Sequence, residues 1–591
     1  MDEEIHQALL LQHIGASFGI ALKNSLTGFF HTGFKQVPIS AMTKTDKMRR
    51  HYYLGEHPQH QSSNSVKAER REAFIDHYLL TQLPKNLQDV RDYGLDEVGA
   101  EECEEVDEDM GFALDDVVEP AGKSPLAIKQ GLLHLAATEM LLHQELHGEF
   151  TMLATDFRWF GPSLPHATLM TVLKFLHVNE EYLALFKRFL ETPMVFADDG
   201  PDATPQVRRR GVPMSHALSD SLGEAVLFCL DLAVNRATRG HMLYRFHDDV
   251  WFWGLTDQCA AAWTAIQEFS KVTGLDLNEE KTGSVQIVRP SSKVKAGSDR
   301  LPKGEIRWGF LRLDAEKRGW IIDRKLVDQH IEELRRQLSA CRSVFAWIQA
   351  WNAYVSRFFT INFGDAAHCF GKAHEDSIIA TFEHIQKQLF PSGSVNAHLK
   401  NTITERFGNE SIPDGFLYFP IKLGGLDLRN PFIPHLCVHA DSLDNPLDRL
   451  QKAYDEEQEA YETAKQRFDS AATHKTATGF RPEKDPDTFM SFEEYTRFRE
   501  EVSMQLASAY TDLQTGPKAQ EVHLTSDVKT ALSTSGVQFG DGMQKAYDKW
   551  IMQLYGPEII REYGALSLGD SELLPIGLVN MMRSEKFRWQ G

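Results

Sequence analysis

Between residues 150 and 322 the apolar positions fall in short aromatic and β-branched runs, and over much of the rest they recur at helical spacing. Period-two or continuous apolar runs of four to eight residues mark strands, and a 3.6-residue recurrence marks helices. Phe150 to Thr155 predicts a strand that ends at Asp156. Leu243 to Trp253 predicts strand, tight turn, strand, with Asp248 and Asp249 at the tip. Ile306 to Leu313, a turn, and Gly319 to Ile322 predict a second hairpin. Helices are expected over Ser124 to His147, stopped by Gly148, and over a helical region from Pro162 to Leu190 with Leu169, Val172, Leu173, Leu176 and Leu183 as its apolar face. Asp257 to Thr273 (Ala261, Trp263, Ile266, Phe269), Arg324 to Cys341 (Val327, Ile331, Leu334, Leu338) and Val344 to Phe359 follow the same rule. Leu447, Leu450, Tyr454, Tyr461, Ala464 and Phe468 lie on a short heptad pattern with Glu457 at one core position. That is too little for a coiled coil and reads as a surface helix on the preceding helical domain. Thr473 to Asp487 reads as a loop, and the last hundred or so residues as helical and mixed.

Composition adds bounds. A chain of 591 residues has room for about three or four domains. Hydrophobic content of 42% and charged content of 25% are those of a globular protein. No uninterrupted apolar run suggests a membrane span, and the acidic start Met1-Asp2-Glu3-Glu4 lacks the features of a signal peptide. The six cysteines form no Cys-x-x-Cys pair, which argues against a zinc site or a disulfide framework. The expectation is an intracellular, reduced protein, in nucleus or cytoplasm. A net charge of −21 runs against tight, non-specific binding to long nucleic acid. Thirteen acidic residues between Asp92 and Glu119 account for much of it and read as a linker or insertion. Basic clusters persist at Lys44 to Arg50, Lys67 to Arg71, Arg208 to Arg210 and Lys325 with Arg335-Arg336.

The candidate chemistry starts from the Asp248-Asp249 turn. Adjacent carboxylates repel by roughly 4 kcal/mol at an effective dielectric near 20. A hairpin has no structural need for them, and a divalent cation relieves the repulsion. Aromatic-x-Asp-Asp on a hairpin resembles the metal-binding turn of reverse transcriptases and RNA-dependent polymerases. A strand ending in Asp156 before a helix resembles their first palm motif. Arg208 to Ser219 is similar to the family's Gly-x-Pro-Gln-Gly…Ser loop: Gly211, Pro213 and Ser219 match, while Met214 and Ser215 replace Gln and Gly. Gly274-Leu275-Asp276-Leu277-Asn278-Glu279-Glu280-Lys281-Thr282 is similar to the Gly-Leu-x-h-x-x-x-Lys-Thr pattern that follows the catalytic hairpin. Trp308, Gly309 and Phe310 fall where the family places its primer grip. These elements occur in the family's order.

The resemblance implies an α+β, right-hand polymerase of fingers, palm and thumb, its antiparallel palm sheet flanked by helices, followed by a mainly helical C-terminal region. Residues 1–90 would be fingers-like, 91–123 the acidic linker, 124–322 the palm, 323–440 a helical thumb and 441–591 an extension. It implies an RNA-directed DNA polymerase using RNA template, primer and dNTPs. Asp156 and Asp248 would hold two Mg²⁺ (or Mn²⁺) ions, with Asp249 in support. Lys281 would be the general acid for pyrophosphate. Phe160 or Gly161 would face the sugar 2′ position, and Arg210, Gly211, Pro213 and Ser219 would support template and nucleotide. Arg49 and Arg50 are weaker candidates for the triphosphate. Phe419 to Pro431, with its glycines, reads as a close-packed turn without chemistry. The resemblance is to a domesticated, or a non-LTR-like or group II-like, cellular enzyme, since no ribonuclease H or endonuclease constellation stands out. The alternatives are an RNA-directed RNA polymerase, a catalytically silent relative that binds nucleic acid or serves as a scaffold, and an all-helical scaffold whose test is whether strands exist between 150 and 322.

Overall fold

The computed structural model of the chain describes residues 4–35, 42–55, 64–87, 89, 124–196, 198, 200, 203–214, 216–290, 299–470, 487–536, 542–568, 573 and 575. The acidic block and almost all of the 473–487 segment lie outside the described residues.

The fold is α+β: long helices surround small antiparallel sheets. The strands are β1 (Glu149–Thr155), β2 (Pro193–Met194), β3 (Gln206–Val207), β4 (Tyr244–Phe246), β5 (Asp249–Gly254), β6 (Gly283–Val288), β7 (Arg307–Trp308), β8 (Leu311–Asp314) and β9 (Gly319–Ile322). A four-stranded sheet runs in the order β4-β5-β1-β6, so β1 is central. Six of its seven residues are buried, which is why it reads as a continuous apolar run rather than an alternating one. Strands between 150 and 322 remove the all-helical alternative.

Helix Pro125–His147 delivers the chain into β1. Ser124 caps its start and Gly148, at φ 73°, stops it as expected. Helices Ala217–Ala237 and Thr256–Thr273 pack on each other, and the second lies against β1 and β5. The region expected to be helical from Pro162 is three pieces: Phe160–Ser163, His166–Phe175 and Glu180–Leu190. The break comes at His177, with φ 59°, before Asn179 caps the last piece. The second hairpin is instead a three-stranded sheet, β7-β8-β9, because Gly309 takes φ 56° and turns the chain inside the expected strand. Trp251 of β5 meets Trp308 of β7 at 4.8 Å between ring centres, which locks the two sheets together.

Helix Ile5–Gly33 packs on Ala217–Ala237 by way of its small residues Gly15 and Gly19 and its later turns, Leu22, Leu26 and Phe30. By length and composition this helix could cross a membrane, although no long uninterrupted apolar run marks it in the sequence. Helix Leu447–Ser470 buries Leu450, Ala453, Glu457, Tyr461 and Phe468, close to the heptad reading. Its partners differ from the expected ones: they are helices Lys44–Leu54 and Met504–Leu513, from both ends of the chain. Glu457 can be buried there because Arg499 donates to it at 2.6 Å.

Candidate active site

The end of β1 and the β4–β5 turn carry the three aspartates to one place. Thr155 pairs with Val250 across the sheet, so Asp156 and Asp249 are the next residues in the same antiparallel register. Phe246 pairs with Asp249, which leaves His247 and Asp248 as a two-residue turn. Asp156, Asp248 and Asp249 line one cleft of about 1230 Å³ with Arg158, Trp159, Asp276, Lys281 and Lys303. Burial raises the Asp248 carboxyl to about 6; His247 opposes that rise, and Asp156 and Asp249 add to it. Burial raises Asp249 too, against the pull of Lys281.

Lys281 reaches this place because Gly274 to Thr282 docks on the end of β1. Arg158 donates its backbone N–H to the Asp276 carbonyl and Asn278 donates its own to the Asp156 carbonyl, both at 2.8 Å. The Thr155 and Thr282 hydroxyls meet at 2.7 Å. Lys281 Nζ is then 2.9 Å from Asp156 Oδ2 and 3.9 Å from Asp249 Oδ1. The Asp156 contact, reinforced by the other two aspartates, raises the Lys281 ammonium above its ordinary range. The ammonium stands where positive charge is wanted between two carboxylates. The donors are hard oxygens of the kind Mg²⁺ takes. Among the described residues, no three His, Cys, Asp or Glu side chains are close enough to hold one ion as they stand. A cation at Asp156 therefore requires Lys281 to swing aside, and Lys281 is 61% exposed and free to do so.

Beneath the turn lies a buried charge cluster that sequence reading missed. Arg245, on β4, donates to both oxygens of Glu224 at 2.8 and 2.7 Å and to Asp231 at 2.9 Å. All three side chains are at most 5% exposed. His247 sits at φ 54°, a conformation that costs a non-glycine residue roughly 1–3 kcal/mol. Glu224 holds it by a hydrogen bond to Nδ1 at 3.2 Å, and the Phe160 ring meets its ring edge-on at 5.2 Å. Glu224 and Asp231 lie two turns apart on one face of helix Ala217–Ala237, and only the folded chain brings that face against the strand arginine.

The other expected residues are placed as follows. Phe160 is buried beside His247 and Gly223, while Gly161 is half-buried against Val212. Arg210 donates to the Ser163 and Gly274 carbonyls, tying two turns together. Gly211, at φ 83°, lies on Pro162, and its N–H bonds the Leu164 carbonyl at 2.8 Å. Pro213 is buried, and the Ser219 hydroxyl closes on its carbonyl. Arg210 and Ser219 are thus engaged in holding the loop. Trp308 and Phe310, expected with Gly309 at the primer-grip position, turn their side chains inward. They are 5% and 3% exposed, Phe310 packing on Phe358, Phe359 and Phe363, so no strand of nucleic acid reaches them in this conformation. Arg49 and Arg50 are committed elsewhere, Arg49 to Glu494 and Arg50 to the Tyr495 carbonyl.

No protein-family model and no curated protein matches this sequence. Among solved structures, the chain is similar to telomerase from Candida albicans in complex with a TWJ fragment of telomeric RNA, with 11% identity and a TM-score of 0.26. The match covers 47% of this chain and 50% of that one, so the chain spans about half the length of the structure it matches. A likeness this loose carries no weight in the functional reading, which rests on the residues themselves.

Proposed function

We propose that the protein is a template-directed nucleotidyltransferase, and more narrowly an RNA-directed DNA polymerase. The observation that carries this is the convergence of Asp156, Asp248 and Asp249 in one cleft, with Lys281 between two of them. The reading also draws on the reverse-transcriptase-like order of the motifs. In it, residues 124–322 act as the palm and 323–440 as the thumb.

Asp156 and Asp248 would hold two Mg²⁺ ions, with Asp249 in support. When bound, such ions lower the pKa of a primer 3′-hydroxyl and steady the leaving pyrophosphate. The protein's own contribution is positional. The Glu224–Arg245–Asp231 cluster and the Glu224–His247 bond fix the turn that presents Asp248 and Asp249. Lys281, displaced from Asp156 as the site fills, remains in reach of the phosphates and donates its proton to the leaving group. A gate at the sugar 2′ position would require Phe160, 3% exposed against the His247 ring, to turn into the cleft; Gly161 there would leave the position open, whereas Phe160 there would exclude ribonucleotides. The Phe160 gate expects dGTP to be incorporated well ahead of GTP.

The test is primer extension on an annealed RNA template with dNTPs or NTPs in Mg²⁺ or Mn²⁺, beside the Asp248→Ala/Asp249→Ala protein. Extension by the native protein alone supports the reading. Absence of extension under every condition favours a second one, a catalytically silent relative. The observation on that side is the Lys281–Asp156 ion pair, which already neutralises Asp156.

A further inference from the structure

Trp159 is the residue of the cleft that the fold does not explain. Its side chain is 72% exposed, although it follows the strand that ends in the buried Asp156. Its backbone has φ 51° and ψ 50°, the left-handed conformation that a bulky residue enters only at a cost. An indole in water buries nothing to offset that cost, and glycine would adopt the same turn freely. Its neighbour Arg158 is exposed as well, and no ion pair engages its guanidinium among the described residues. Lys303, on the same cleft, is in the same condition. Some basic residues elsewhere are paired, Arg49 with Glu494, Lys67 with Glu501, and Arg70 with Glu139 and Glu500. The cleft thus holds an open aromatic face and two cations outside any described ion pair, among carboxylates that include Asp276, Glu279 and Glu280 besides the three aspartates of the hairpin and β1.

We infer that Arg158 and Trp159 form a gripping element for a nucleobase with its attached phosphate, the indole stacking on the base and the guanidinium meeting the phosphate. Every base has a π-face, so such a contact tolerates sequence, and an arginine adds charge attraction. This rests on the nucleotidyltransferase reading and names a contact that reading does not supply. Trp159 is a binding residue here, not one that touches the reacting atoms. The base belongs either to an incoming nucleotide or to an unpaired strand, and the two are separable by experiment.

The measurement is tryptophan fluorescence and affinity with two probes, dGTP and a single-stranded oligonucleotide, on the full chain. Trp159→Ala, Trp159→Phe, Trp159→Gly and Arg158→Ala are compared with the native protein. Trp159→Ala is expected to weaken whichever probe the element takes by about tenfold, in line with the loss of one stacked base. Trp159→Phe should recover most of that, and the native quenching should vanish in both. Arg158→Ala should flatten the salt dependence of the same probe. Trp159→Gly should lose binding while its melting temperature holds or rises, because glycine relieves the left-handed backbone; a tryptophan kept for structure would lower it. If the native protein binds a probe and extends primers while Trp159→Ala matches it, this inference falls and the nucleotidyltransferase reading stands. If the native protein binds neither probe, both fall.

Discussion

At the scale of single residues, Arg245 decides more than any one aspartate. It is the counter-charge for two buried carboxylates at once, and removing one partner of a buried ion cluster costs about 3–5 kcal/mol because the others are left uncompensated. Arg245→Met should therefore lower the free energy of urea unfolding at pH 7 by that much and abolish extension, although no metal-binding oxygen has changed. The pH dependence follows from Glu224. Burial alone would raise its carboxyl, but Arg245 and His247 outweigh burial and hold it at about 2. Its folded value lies below its unfolded one, so its stabilisation is present above roughly pH 4.5 and is lost as pH falls toward 2. The gap between native and Arg245→Met proteins should narrow across that window. A gap that stays constant from pH 7 to pH 3 would show that lost packing, rather than lost charge, is what the variant measures. The three aspartates could be read from the sequence because paired carboxylates on an apolar hairpin are conspicuous. The cluster that seats them could not, because a lone Glu, Asp and Arg gain meaning only when a helix and a strand bring them within 3 Å.

At the scale of elements, strands, long helices and their caps were legible from periodicity, and left-handed residues inside a run were not. The expected hairpin from Ile306 became three strands because of Gly309, and the helical region from Pro162 broke at His177. Side-chain patterning carries no record of a positive φ at a single position. Gly211 is the case with consequences for the site. It combines φ 83° with backbone contact on Pro162, and its loop is bonded to the turn that follows Asp156 through Gly211 N–H to Leu164 and Val212 N–H to Gly161. Gly211→Ala has neither the conformation nor the room. It should cost about 1–3 kcal/mol, the range of a forced backbone conformation, and displace the turn carrying Arg158 to Gly161. Thermal unfolding and primer extension on the same preparation check this. Substitution at Gly536, also at positive φ but with open space around it, is the control. There alanine should carry only the smaller conformational cost and leave extension unchanged.

At the scale of the molecule, the division into fingers, palm, thumb and extension that the motifs suggest does not coincide with where the core is joined. One apolar cluster runs from Leu22 to Leu566. Arg70, near the N-terminus, is bidentate to Glu139 at 2.6 and 2.9 Å and reaches Glu500 at 2.9 Å, while the Tyr510 hydroxyl donates to Glu139 at 2.6 Å. Glu139 and Tyr510 are fully or almost fully buried, so four helices from three separate stretches of the sequence share one polar core site. The sequence pattern could not reveal this, because each residue alone reads as a surface charge on a helix. It follows that the C-terminal region is part of the body that carries the site. A chain ending at residue 440 keeps every candidate active-site residue, yet it uncovers the faces of helices Val66–Ala73 and Pro125–His147 that pack on helix Met504–Leu513 and strips Arg70, Lys67 and Arg49 of Glu500, Glu501 and Glu494. The loss of Tyr510 and Glu500 from around Glu139 and Arg70, added to the lost apolar contacts of helix Met504–Leu513, is of the order of a typical domain margin of about 5–15 kcal/mol. The truncated chain should therefore be insoluble or molten, and the full chain should unfold in one cooperative step by calorimetry and circular dichroism together. A soluble, cooperatively folding 1–440 fragment that extends primers would overturn this and restore the C-terminal region to a separate module.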